Sequence, residues 1–219
     1  MSILGSVLKG LWSRDKQSPT MQRVLNVGGN DKRIPIPGYY SDWDHVLLDI
    51  DPRVKPDVVC DARNLSSLPA AAYDAVYCSH NLEHYYRHEC RKVLTGFMHV
   101  LKADGFAEIR VPDLQAVMRR IVQSELDIED VLYVSPSGPI TARDVFYGYG
   151  KAIEASGQDY FAHKTGFTPK SLFHTLREAG FVDVFVSVHV DAFDLRAYAF
   201  KRPVTAQQRQ LLSLSGDPN

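Results

Sequence analysis

The sequence predicts an α/β fold in which a doubly wound, mostly parallel sheet ends in an antiparallel β-hairpin. Three observations predict it. Short apolar runs at Arg23–Val27, His45–Asp49 and Asp57–Asp61 are each closed by a polar or turn residue. Two more runs, Ala75–Ser79 and Phe106–Val111, flank a long amphipathic segment. Finally, FVDVFVSV from Phe181 and LRAYAFK from Leu195 alternate apolar and polar residues, as neighbouring strands of an antiparallel pair do. Alternating β and α units with a terminal hairpin make one wound sheet.

Taken in order, the first three runs are strands with Gly28-Gly29, Asp49 and Asp61 at their carboxyl ends. The fourth strand ends at Ser79. A helix is expected from about Leu82 to Lys102, with Tyr86, Cys90, Val93, Leu94, Phe97 and Leu101 on one stripe. Asp104-Gly105 stops it before the fifth strand, and Leu114 to about Val122 reads as a further helix. From 133 to 166 the periodicity dissolves into proline, glycine, serine and tyrosine, which predicts an irregular insertion or lid. Thr168-Pro169 starts a helix, a capping hydroxyl followed by a proline whose missing N–H costs nothing there, and Gly180 stops it. The tail 204–219 is polar and is expected to fray.

Composition narrows the function classes. Over 219 residues, 25 Lys+Arg balance 26 Asp+Glu for a net charge of −1, which argues against broad electrostatic binding to nucleic acid. Cys60, Cys78 and Cys90 have no C-x-x-C spacing and suit a reduced, cytoplasmic protein. No apolar run reaches the roughly 20 residues of a membrane span, and the N-terminus lacks a secretory pattern. Residues 1–20 do carry Ile3, Leu4, Val7, Leu8, Leu11 and Trp12 at helical spacing, beside Lys9, Arg14 and Lys16. Packing on the sheet, a partner subunit or peripheral contact with a membrane surface would each use that stripe.

In open α/β sheets ligands bind beyond the carboxyl ends of the strands, so Gly28, Asp49 and Asp61 are expected to share one crevice. A glycine turn admits close approach to the backbone, and an acidic group ending the second strand accepts both hydroxyls of a ribose. That combination predicts a nucleoside site. A dinucleotide would need a G-x-G-x-x-G turn opening a helix, yet Asn30 and Arg33 stand where the later glycines belong. The next segment, RIPIPGYYSDW, is broken by Pro35, Pro37 and Gly38 and cannot be a regular crossover helix.

These motifs resemble the class I S-adenosylmethionine-dependent methyltransferases. Leu25–Asn30 is similar to the family's glycine motif, Leu48-Asp49-Ile50 to its ribose motif and Cys60-Asp61-Ala62 to its adenine-side motif. Tyr73-Asp74 with Ser79-His80-Asn81-Leu82-Glu83-His84 is similar to the fourth strand and its turn. Leu101–Gly105 with Val111-Pro112-Asp113 matches the fifth-strand region, and Phe167-Thr168 with Ala179-Gly180-Phe181 the last helix and sixth strand. Two departures stand out: Asn26 replaces an acidic residue and Asn30 a glycine, although Asn tolerates a left-handed backbone.

The resemblance implies a Rossmann-like seven-stranded sheet and a methyltransferase domain over 21–203. It implies S-adenosylmethionine as cofactor, held by Gly28, Gly29, Asn30, Asp49, Ile50, Asp61, Ala62, Ser79 and His80. The methyl group would pass by in-line displacement to a small molecule, sugar or lipid, and no metal is required. His84, His80 and His163 are the imidazoles available to a protonated acceptor.

Other constellations compete. His80-Asn81-Leu82-Glu83-His84 spells the H-x-x-E-H of a zinc hydrolase, but that site needs both histidines on one regular helix, and His80 falls at a strand-to-helix junction. His84 fits a structural hydrogen bond or the acceptor side equally. Asp113 reads as a helix cap before a substrate contact. Tyr147, Tyr149, Tyr160 and Phe161 would line an acceptor pocket or pack on the domain body. A non-catalytic nucleoside-binding module and an NAD-type oxidoreductase are the functional alternatives; intact Asp49 and Asp61 argue against the first, the missing phosphate turn against the second.

Overall fold

Parallel neighbours need a crossover, and the chain supplies them in turn. The computed structural model describes residues 21–135, 138–189 and 192–218. It opens with β1 (Arg23–Val27), β2 (Asp44–Asp49), β3 (Val58–Val59) and β4 (Tyr73–Ser79). Helix α1 (Arg87–Val100), β5 (Leu101–Pro112) and α2 (Leu114–Ser124) follow. Then come β6 (Val131–Ser135), β7 (Gly138–Thr141), α3 (Ala142–Tyr147), α4 (Gly150–Ser156) and α5 (Pro169–Glu178). Strands β8 (Asp183–His189) and β9 (Asp194–Phe200) and helix α6 (Ala206–Leu211) complete the chain. Seven strands form one sheet in the order β3-β2-β1-β4-β5-β9-β8, parallel through β5 and antiparallel at β9 and β8.

Strand alternation divides the core between two faces. Leu25, Val27, Cys78, Ala107, Ile109, Val111, Leu195 and Ala197 point toward α1 and α5, whose Val93, Leu94, Phe97, Leu172 and Leu176 are fully buried there. Val24, Tyr77, Phe106, Tyr198 and Phe200 point the other way. That second face has no α-helix between β1 and β2, only a 3-10 turn at Gly38–Tyr40. The proline-broken segment instead lays Tyr39, Tyr40 and Trp43 over it, and Tyr40 is 1% exposed. The hydroxyls of Tyr39 and Tyr40 donate to the buried Glu108 carboxylate at 2.5 and 3.2 Å. A strap of aromatic residues thus does the covering that a helix would do.

The structure corrects several expected boundaries. The helix read from Leu82 begins only at Arg87, because Leu82–His84 is a 3-10 turn and Tyr85 is extended. Tyr86 is therefore a half-exposed cap rather than part of the buried stripe. The third strand shrinks to two residues on the sheet edge, beside Pro56, which has no N–H to pair. The stretch 133–166 is not wholly irregular: β6 and β7 pair as a hairpin, and Thr141 caps α3 with a reciprocal contact to Asp144. These elements are too short for a period to show. Nor does the tail simply fray, since Thr205 caps α6 and Leu212 is buried against Phe185 and Phe200. Segment 1–20, with its amphipathic stripe, lies outside the described residues. Among those described, no helix is long and apolar enough to cross a membrane.

Candidate active site

The carboxyl ends of β1, β2 and β4 meet at one crevice of about 500 Å³, within the range of small-ligand sites. Gly28, Asn30, Asp49, Ile50, Asp61, His80, Asn81 and His84 line it, with Tyr160, Phe161 and Lys164 opposite. Of the expected residues, Gly29, Ala62, Ser79 and His163 do not reach the lining. A Cβ on Gly29 would meet the Asn26 amide, which itself contacts His45, and Ala62, the first residue of the 3-10 turn that follows Asp61, is buried. Tyr147 and Tyr149 are also outside the lining.

Backbone geometry explains the turn after β1. Gly28 adopts φ +71°, and its N–H donates to the Leu48 carbonyl at 2.8 Å. Asn30 stands at φ 59°, the left-handed position that asparagine tolerates. Its N–H donates to Asp49 Oδ2 at 3.1 Å, while the Asp51 N–H donates to Asp49 Oδ1 at 2.9 Å. Asp49 is thereby fixed at the strand end, 9% exposed, with further lone pairs open to a ligand. Asp51 caps the turn Pro52–Val54 and pairs with Arg53.

Asp61 is more heavily committed. It accepts from the Arg63 N–H at 2.9 Å and from the Arg63 guanidinium, which also reaches Glu89 at 2.5 Å. Burial would raise the Asp61 carboxyl, but Arg63 outweighs it and holds the group below its ordinary value. An Asp61–Arg63–Glu89 bridge therefore forms one rim of the crevice. Asp113 accepts from the N–H groups of Gln115 and Ala116 and caps α2, as the capping reading required.

The turn after β4 carries the cluster that sequence reading undervalued. His80 is left-handed at φ 49° and half-exposed. Its Nδ1 lies 3.5 Å from Glu83 Oε1, and its Nε2 lies 3.5 Å from Asp194 Oδ1. Burial pulls the imidazole down, yet the two carboxylates prevail and raise it above its ordinary value. Glu83 is fully buried and neither carboxylate oxygen has a hydrogen-bond partner. Burial pushes its carboxyl up, and the surrounding histidines, His80 foremost, bring it below the ordinary value. Asn81 Oδ1 is another buried atom without a partner.

The lid delivers the last member. The N–H groups of Lys164 and Thr165 both donate to the Glu83 carbonyl, at 2.8 and 3.1 Å, which pins segment 159–165 to the turn. His163 then stacks edge-on against His84, with ring centroids 4.9 Å apart. Its Nδ1 contacts the Val145 carbonyl at 2.8 Å, and burial lowers its pKa. His84 sets both ring nitrogens against carbonyls, Nδ1 on Ala162 and Nε2 on His80, each at 3.1 Å. Glu83 gave a signal in sequence, as the E of H-x-x-E-H. Its partner His163 lies 80 residues away and on no shared period.

An α/β sheet with a nucleoside-sized crevice at the ends of β1, β2 and β4 defines the class. A family described as a methyltransferase domain matches residues 42–109, which run from β2 into β5. Among solved structures, a protein of Pyrococcus horikoshii OT3 aligns with TM-score 0.53 and 14% identity, covering 83% of this chain and 82% of that one. A SAM-dependent methyltransferase of Thermotoga maritima, a possible histamine N-methyltransferase, aligns with TM-score 0.50 and 15% identity over 82% of each chain. At those identities the likeness is one of fold. No curated protein matches in sequence. The match over residues 42–109 and the likeness of fold are both consistent with an S-adenosylmethionine-dependent methyltransferase.

Proposed function

We propose that the protein is an S-adenosylmethionine-dependent methyltransferase whose crevice holds the cofactor's ribose at Asp49 and its adenine between Ile50 and the Asp61–Arg63 rim, and presents the methyl group to a small-molecule acceptor under the histidine cluster. The observation that carries this reading is the convergence of Gly28, Asp49, Asp61, His80 and His84 on one cavity of about 500 Å³. The residues suit the group. Asp49 keeps unused lone pairs beside a left-handed turn with little side chain, and Asn81 Oδ1 is buried without a partner at the crevice wall.

When bound, the sulfonium supplies an activated methyl carbon and a thioether leaving group. The chain's own part is positioning, which supplies much of the acceleration in a displacement of this kind. Lys164 and Thr165 hold the lid against Glu83, and Tyr160 and Phe161 exclude water from the acceptor side. His80 and His84 face the space where an acceptor hydroxyl would stand, with His163 behind His84. A sugar or lipid headgroup would enter the same opening. On this reading residues 21–203 are the catalytic domain, and the protein works in the cytoplasm.

A thermal melt tests it. A ligand that binds only the folded state stabilises it by about 2.7 kcal/mol at a hundred times its dissociation constant. For a chain of this length that is roughly 5–10 °C. S-adenosylhomocysteine is expected to raise the melting temperature; a rise with NAD and none with S-adenosylhomocysteine overturns the proposal.

A further inference from the structure

We propose that Glu83, His84 and His163 bind a divalent transition-metal ion of the zinc class at the acceptor end of the crevice. Each residue offers one donor atom, and the three atoms lie within 4.8 Å of one another. One carboxylate and two imidazoles are a donor set that suits zinc and its first-row neighbours and leaves coordination positions open.

Three features point to a ligand rather than to a settled core. Glu83 is 0% exposed, and both of its oxygens lack a hydrogen-bond donor. His80 Nδ1 faces Oε1 at 3.5 Å, beyond a good hydrogen bond, so the buried carboxylate is only partly compensated and a cation at its oxygens would complete it. His163 directs Nδ1 at the Val145 carbonyl at 2.8 Å, the backbone contact that fixes the tautomer of metal-ligating histidines and turns Nε2 outward as a donor. His84 has a carbonyl 3.1 Å from each nitrogen, and a neutral ring can donate to only one of them. The other nitrogen sets a lone pair against a carbonyl oxygen, a contact that a small rotation toward an ion would relieve.

The fold builds this site from two places. Glu83 and His84 come from the 3-10 turn after β4, and His163 comes from the lid that the Glu83 carbonyl anchors through Lys164 and Thr165. Gly148 permits the approach, because a Cβ there would stand 1.9 Å from the Phe161 carbonyl oxygen. His84 lines the crevice, so an ion held here would face the acceptor and favour one that offers oxygen ligands, such as a hydroxyl. That choice of acceptor rests on the methyl-transfer reading above; binding of the ion does not.

The test uses the metal-stripped full chain and Co²⁺ as a spectroscopic probe. Visible ligand-field bands that saturate at a single equivalent and are displaced by Zn²⁺ are expected. Glu83→Gln and His163→Gln should weaken Co²⁺ binding by roughly tenfold or more, with the surface variant His88→Ala unchanged. His163→Gln decides the matter if Glu83→Gln fails to fold. Absence of the bands in the wild type, or their persistence in His163→Gln, overturns the proposal. S-adenosylhomocysteine affinity, measured on the same samples, separates the two readings. Its loss in the wild type would remove the methyl-transfer account and leave the Co²⁺ result standing.

Discussion

The side chain of Asn81 occupies the space in front of Gly28. A Cβ built on Gly28 would lie 2.1 Å from Asn81 Nδ2, so the turns after β1 and β4 interlock where the crevice begins. The two residues are 53 positions apart and meet because β1 and β4 are parallel neighbours.

That contact predicts the cost of a methyl group. Gly28→Ala adds a side chain at φ +71° and drives it into the amide, a combination expected to destabilise by about 1–3 kcal/mol. Asn81→Ala in the same chain relieves most of the collision, leaving its Cβ at 3.1 Å and the backbone strain. Denaturant unfolding of the two single variants and the double variant should show that Asn81→Ala costs less in the Gly28→Ala background than in the wild type. Additive losses would mean the turns do not interlock.

The aromatic strap makes a pH-dependent prediction. Burial dominates at Glu108 and raises its carboxyl above the ordinary value of 4.5, despite hydrogen bonds from Tyr39 and Tyr40 and the nearby Arg196. A carboxyl raised on folding contributes stability below its unfolded value and loses it as pH climbs through the folded one. Glu108→Gln removes that loss, so its melting temperature should gain on the wild type as pH rises above 4.5. Tyr39→Phe strips the 2.5 Å hydrogen bond and should cost about 1–3 kcal/mol, most at neutral pH. A pH-independent difference between wild type and Glu108→Gln would contradict the assignment.

The strands were legible in sequence because each is a short apolar run ended by a residue with a visible task. Gly28 turns the chain, Asp49 anchors two backbone N–H groups, and Thr168 caps α5. The strap was legible only as a missing helix, since the burial of Tyr40 depends on Glu108 and Phe106 across the sheet. The β6–β7 hairpin escaped because its strands have only five and four residues and the second opens with Gly138 and Pro139. Asp49, His80 and His84 reach the crevice lining, as expected from their places at or after strand ends. Glu83 was hidden, because its orphaned oxygens and its nearness to His163 depend on segment 159–165 packing against the turn after β4.

The central claim is that the ends of β1 and β2 hold the cofactor's ribose, and calorimetric titration with S-adenosylhomocysteine tests it most directly. Asp49→Ala removes charge-assisted hydrogen bonds worth on the order of 1.5–3 kcal/mol each. Affinity should then fall at least roughly tenfold. Asp51→Ala, which loses only a turn cap and an exposed pair with Arg53, should bind nearly as the wild type does. Equal affinity in Asp49→Ala and the wild type, or a loss confined to Asp51→Ala, would contradict the account.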